Sequence, residues 1–317
     1  MEPGLSIYLE NALSFTSDAV KCLLAALIST VFIRRDTAKS ELEKLKTGKF
    51  DEVIGRLLDE GKMTYLEFYK CRNLLSVAKL ADEHLSPRID DSDEDTESSG
   101  SDSGENSFNF DFDWFMRFYD AVGNISNEEL QGLWAQVLAG EIKRPKTCSL
   151  RTLDIIRNLS AEEARAFHNV CQYVLECGTS ACVLMFGFVD EKEGYEECRR
   201  YIDEKGLIYG ETIIPLIEAG LFTREFDLAF YLAQDNELEL HNDKMRCEIK
   251  SHSEEQVLFN EPAAFLTTSG MELFKLVRAV DGFEYDKGYA LLCVEDMRKE
   301  YPNLSFDVKA QIKGNQR

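Results

Sequence analysis

Residues 88–107, RIDDSDEDTESSGSDSGENS, constrain this chain more than any other stretch. From Ile89 to Ser107 there are eight carboxylates, no lysine or arginine and almost no apolar side chain. Such a segment cannot bury enough surface to offset the entropy of ordering it, so a disordered, self-repelling linker is expected. Anything that folds must fold on one side of it or the other. A plain solvated spacer is the simpler reading, and a phosphorylatable tether that contacts a basic partner is the sharper one.

Residues 1–87, ahead of the linker, read as a helical N-terminal region. Cys22 to Ile33 is an uncharged apolar run of twelve residues, well short of the roughly 20 needed to span a bilayer. A buried helix in a hairpin or oligomer is preferred over attachment to a membrane surface through this run, with Arg34 and Arg35 at its edge. Thr37 to Lys46 has the Glu and Lys content of a solvated helix. Phe50, Val53, Ile54, Leu57 and Leu58 then recur at helical spacing, and a further helix runs from Thr64 to Ala81. Pro87 closes a bundle of three or four helices.

Residues 108–179 carry the strongest helix-start signals. Trp114, Phe115, Phe118, Tyr119 and Val122 make one aromatic helical face. Ser126 with Glu129 has the spacing of a capping box, in which each side chain satisfies a backbone N–H at the helix start. Leu130, Leu133, Trp134, Val137 and Leu138 follow at three- and four-residue steps, with Gly140 and Pro145 bracketing the end. Ser149 can cap a shorter helix carrying Leu150, Leu153, Ile156 and Leu159. Ser160 with Glu163 forms a second capping box, and the helix after it is expected to stop at Gly178. The expected product is a compact helical core.

At these residues the chain resembles a bacterial family known as the domain-of-unknown-function 2806 family. The resemblance is carried by Asp113-Trp114, Arg117-Phe118, Asn127-Glu128-Glu129, Leu133-Trp134-Ala135, Leu138-Ala139-Gly140-Glu141, Pro145, Ser149 to Leu153, Leu159-Ser160 and Glu163-Ala164. A weaker similarity covers Ile33-Arg34-Arg35 and Thr37-Ala38-Lys39. The resemblance brings no activity with it. It implies a bacterial accessory protein, with phage defence or mobile elements as the setting.

Beyond residue 180 the pattern shifts toward strands. Cys182 to Val189 is an apolar run of strand length, and Tyr195, Cys198, Tyr201 and Ile202 mark another helix. Glu211 to Ala219 leads into Gly220-Leu221-Phe222, as a winged helix passes from its third helix into the wing. Asp227 to Leu232, Leu238 to His241 and Met245 to Ile249 can supply strands, with a turn at Asn242-Asp243-Lys244. A last helix enters through Ser269 and Glu272, and the tail to Arg317 gives no clear pattern. The fold expected is mainly α, α+β overall: helical region 1–87, acidic linker 88–107, helical core 108–179 and winged-helix-like α+β region 180–317.

The formal net charge of −22 and pI near 4.7 argue against a general nucleic-acid binder, since phosphate contacts draw on clustered lysine and arginine. The candidate recognition helix Glu211 to Ala219 carries two glutamates and no basic residue, so a phosphate backbone would repel it. Nine cysteines without a disulfide framework, and an N-terminus with Glu2 and Glu10 in place of positive charge, fit a cytoplasmic protein.

No phosphate loop, nucleophile elbow, HExxH or CxxC pair is present. The spacings among His168, Cys171, Cys177, Cys182 and Cys198 are not those of a zinc ribbon, so neither a metal nor a cofactor is expected. Glu141, Arg151 and Thr152 flank the turn between two helices, where an acid and an arginine can pair and fix the crossing. A groove there beside Gln131 and Trp134 would be the place for a ligand or partner. The preferred reading is a non-enzymatic interaction or regulatory protein that binds a protein partner and forms a homo-oligomer through its N-terminal helices. The alternative is a nucleic-acid-associated winged-helix regulator, autoinhibited by its acidic linker.

Overall fold

The fold is taken from a computed structural model, which describes residues 17, 18, 20, 21, 24, 50–85, 111–186, 188, 195–224, 226–234, 236–280 and 282–310. The acidic linker, residues 25–49 and the last seven residues lie outside the described residues, and of the apolar run at 22–33 only Leu24 is described. The chain divides into two compact units, Met1–Leu153 and Asp154–Arg317.

In the first unit α1 (Phe50–Asp59) buries Phe50, Val53, Ile54 and Leu57 along one stripe. Gly61 ends it with a left-handed backbone at φ 66°, a conformation that glycine adopts without a Cβ clash. α2 (Tyr65–Leu85) starts at a reciprocal cap. Glu67 Oε2 accepts from the Thr64 amide at 2.7 Å, and Thr64 Oγ1 accepts from the Glu67 amide at 3.3 Å. Cys71, Leu74, Leu75, Ala78 and Ala81 then form its buried side.

α3 (Phe112–Val122) begins at Asp111, whose carboxylate accepts from the amides of Asp113 and Trp114. α4 (Glu128–Lys143) is capped by Asn127, whose Oδ1 accepts from the Leu130 amide at 3.1 Å. The expected start at Ser126 is therefore one residue early, because asparagine caps as well as serine does. α4 packs against α2. Asn73 Nδ2 ties α2 to the Gly123 carbonyl at 2.9 Å, and Lys143 Nζ reaches the His84 carbonyl at 3.0 Å. Ser149 caps α5 (Leu150–Asn158) as its sequence indicates, accepting from the Thr152 amide.

The second unit begins within α5, at Asp154, and continues with α6 (Ala161–Cys171), whose Ser160/Glu163 capping box is formed. α6 ends at Cys171, ahead of the expected stop at Gly178. Gly178, with φ 58°, instead turns a hairpin between β1 (Leu175–Cys177) and β2 (Ser180–Leu184).

Next come α7 (Glu196–Glu204), a π-helical turn (Tyr209–Ile213) and α8 (Ile214–Glu218). They are followed by β3 (Phe226–Leu232), β4 (Glu237–His241), β5 (Met245–Ser251) and β6 (Val257–Phe265). α9 (Thr268–Arg278), α10 (Lys287–Glu300) and β7 (Leu304–Ala310) complete the order.

These strands form one seven-stranded sheet in the order β3-β6-β2-β1-β4-β5-β7, antiparallel throughout. This overturns two expectations: with so large a sheet the chain is not mainly α, and the α+β region 180–317 is not winged-helix-like. The segment read as a recognition helix is a π turn followed by a five-residue helix. Phe222 goes on to a bridge with Leu266 and not into a wing. What joins the sheet is β6, which pairs with β3 on one side and β2 on the other. Its Asn260, Glu261 and Pro262 hide its strand character in the sequence. Pro262 stands just beyond the β2 register, which ends at Leu184↔Ala263. At the far edge, β7 forms from the unassigned tail and pairs with β5 from Met245↔Ala310 to Ser251↔Leu304.

Tyr289 of α10 is pinned to the sheet by its hydroxyl, shared between the carbonyl oxygens of Leu184 and Phe186 at 2.7 Å from each. No helix among the described residues is long and apolar enough to cross a membrane.

Candidate functional site

The five residues singled out from sequence are spread along the first unit. Gln131 and Glu141 sit ten residues apart on α4, which at about 1.5 Å per residue separates them by roughly 15 Å. Gln131 is buried and its Nε2 donates to the Ile125 carbonyl at 2.9 Å, holding the loop that precedes the helix. Trp134 is fully buried and meets Phe118 edge to face, with ring centroids 5.5 Å apart. Phe118 stacks in turn on Trp114 at 5.3 Å. Burying each of these rings stabilises the helical core by about 2–3 kcal/mol. Trp114 Nε1 donates to the Cys148 carbonyl at 2.9 Å, whereas Trp134 Nε1 has no hydrogen-bond partner among the described residues.

Glu141 is buried at the end of α4, and its two oxygens accept from the amides of Lys146 at 2.7 Å and Thr147 at 3.0 Å. The expected pairing of Glu141 with Arg151 is not made. The carboxylate closes its own turn, in which Lys146 adopts φ 68°, and Arg151 is exposed. Thr152 is fully buried, with its hydroxyl 3.0 Å from Ser149 Oγ at the start of α5. Gln131, Glu141 and Thr152 thus act on their own loops and caps, while Trp134 packs in the core.

An exposed apolar face lies elsewhere in this unit, at the start of α2. Tyr65 is 72 % exposed, Leu66 66 % and Tyr69 43 %. At 100° per residue these three fall within one 100° arc, opposite the buried side that carries Cys71, Leu74 and Ala78. The Thr64/Glu67 cap fixes the turn that presents them. It also holds the Glu67 carboxyl below its usual range, through the backbone and then the side-chain hydrogen bond of Thr64. Behind the face, burial followed by the nearby Glu67 carboxylate pushes the Cys71 thiol up to about 12. Burial raises the Tyr119 hydroxyl as well. In sequence Leu66 and Tyr69 read as bundle residues together with Leu74, Leu75, Val77 and Leu80, and only the T-x-x-E spacing at Thr64 marks where this face begins.

In the second unit a buried polar cluster joins α7 to α10. Cys198 Sγ donates to Asp296 Oδ2 at 3.3 Å, and Lys299 Nζ donates to Asp296 Oδ1 at 2.8 Å. The neighbouring Cys293 is fully buried, and burial, then a hydrogen bond with Cys198, hold its thiol well above the ordinary value. A thiol so disposed is protonated at neutral pH and is a poor nucleophile. Among the described residues no group of three or more His, Cys, Asp or Glu side chains is placed to hold a metal ion.

These features define a two-unit α+β protein, with helices in the first unit and an antiparallel sheet with its helices in the second. Residues 72–289 match the model of the family described as protein of unknown function (DUF2806), and the chain belongs to that family. No curated protein and no solved structure matches it significantly.

Proposed function

We propose that the protein is a non-enzymatic interaction or regulatory protein that works through protein–protein contacts, with the start of α2 as a contact surface. The observation that carries this reading is the solvent-facing trio Tyr65, Leu66 and Tyr69. Tyrosines supply large contact area at low entropy cost, and they are enriched at interface centres. The Thr64/Glu67 cap fixes the backbone of the first turn, which carries Tyr65 and Leu66, and this lowers the ordering cost of association. The bacterial accessory setting rests on the family resemblance alone.

The test is a pull-down from the native host with tagged full-length protein, compared with Leu66→Asp and Tyr69→Asp. Far-UV circular dichroism verifies that both variants fold. A stoichiometric protein partner is expected with the wild type, weakened by at least about 30-fold in each variant, as truncation of an interface centre does. Equal recovery by wild type and variants, or no partner with the wild type, overturns the reading.

A further inference from the structure

We propose that two copies of this chain join edge to edge through β3, antiparallel and centred on Ala229, so that one sheet runs continuously through both. The inference goes beyond the contact surface on α2 and uses a different surface.

It starts from the unlike edges of the sheet. At one end β7 carries Asp307 and Lys309, and Lys309 Nζ pairs with Glu248 at 3.3 Å and Asp307 at 3.0 Å. Charges placed this way protect an open edge from pairing with another chain. At the other end β3 reads FDLAFYL and is seven residues long. It has no lysine or proline, and Asp227 is its one charged residue. Phe230 is 38 % exposed, Tyr231 66 % and the adjoining Leu258 of β6 47 %. A strand of this length, apolar and with no strand paired to its outer side among the described residues, has a row of backbone donors and acceptors to offer another strand.

The sequence of β3 selects its own copy as that strand. When two copies are laid antiparallel about Ala229, all seven residues pair and none overhangs. Asp227 then stands opposite the second copy's Tyr231, and Leu228 opposite its Phe230. The single carboxylate meets a tyrosine in this register and not its own symmetry mate, which would repel it. On one face the half-exposed Phe230, already beside the buried Phe259, comes opposite the buried Leu228 of the second copy, so this face stays apolar across the join. On the other face the exposed Tyr231–Leu258 pair is extended by Asp227 of the second copy. Only an isologous, two-fold contact has this self-complementarity.

The test uses full-length protein and surface substitutions, with mass measured by light scattering after size exclusion. Tyr231→Asp sets two carboxylates opposite each other twice, by symmetry, and is expected to halve the assembly mass. Tyr231→Lys sets a lysine opposite Asp227 and is expected to keep the wild-type mass. Asp227→Lys combined with Tyr231→Asp is expected to restore it. Under mild oxidation Ala229→Cys is expected to link to its own copy. Tyr231→Cys should link to Asp227→Cys in a mixture, but not to itself. A monomeric wild type, an assembly that responds alike to Tyr231→Asp and Tyr231→Lys, or no link at Ala229→Cys overturns the proposal.

Discussion

Glu141 and Lys146 close one turn together: the Lys146 amide donates to the Glu141 carboxylate at 2.7 Å while the Lys146 backbone sits at φ 68°. The second carboxylate oxygen takes the Thr147 amide. Glu141→Gln retains one acceptor oxygen and loses the charge, so it is expected to lower unfolding stability by about 1.5–3 kcal/mol. Lys146→Gly removes the Cβ penalty of a left-handed residue, and should be neutral or stabilising by up to about 1 kcal/mol. Urea unfolding of the two variants checks both. A destabilised Lys146→Gly with an unaffected Glu141→Gln would mean that the lysine side chain, and not the buried carboxylate, holds the turn.

The two tryptophans predict opposite contributions from the same indole N–H. Trp114 Nε1 bonds to the Cys148 carbonyl, whereas Trp134 Nε1 is buried without a hydrogen-bond partner among the described residues. Changing either to phenylalanine leaves a similar cavity. At Trp114 the change also breaks a buried hydrogen bond, and at Trp134 it removes an unsatisfied donor. Trp114→Phe should therefore be the more destabilising by about 1 kcal/mol, although Trp134 is the more deeply buried. Equal denaturant midpoints would refute the assignment.

Gly270, in the first turn of α9, lies against the chain that leaves α8. A Cβ at this position would stand 2.1 Å from the Leu221 carbonyl oxygen, and backbone cannot step aside as a side chain can. Gly270→Ala is expected to lose about 1–3 kcal/mol or more. Gly132 in α4 has nothing within 4 Å of the same atom. Gly132→Ala should gain about 0.5–1 kcal/mol from helix propensity. Thermal melts of the pair separate close approach from any general intolerance of glycine replacement.

What the sequence made legible follows from where local physics is strong. The aromatic stripe from Trp114 to Val122 and the Ser160/Glu163 box lie on helices as expected, because their caps and periods act within a few residues. Asp227 to Leu232, Leu238 to His241 and Met245 to Ile249 are strands for the same reason. The sheet itself was not legible. It depends on β6, whose Glu261 and Pro262 argue against a strand, and on β7, which pairs with a strand some sixty residues earlier, as at Met245↔Ala310. No local signal carries such a pairing. Among the candidate residues, an acid and an arginine flanking a turn suggested an ion pair. Yet Glu141 is nearer to the unsatisfied amides of its own turn, and it bonds to them.

The last prediction concerns alkaline pH. Burial raises the thiols of Cys71, Cys182 and Cys247 to about 12, against an ordinary 9.0, and Cys171 and Cys293 also lie well above it. Burial likewise raises the hydroxyls of Tyr201 and Tyr285 to about 12 from 10.0, and those of Tyr173 and Tyr289 rise too. The folded chain therefore holds these protons more tightly than the unfolded chain. Unfolding releases them wherever the pH lies between the ordinary and the raised values. Their contribution is complete below about pH 9 and is lost as pH rises toward 12. The melting temperature should be flat from about pH 7 to about pH 8.5, and then fall steadily to about pH 10.5. Thiol labelling at about pH 8 should be slow until denaturant is added, since a buried neutral thiol does not react. A melting temperature that holds through pH 10.5 would mean that these groups are open to solvent, and the cores around Cys71 and Cys293 would have to be redrawn.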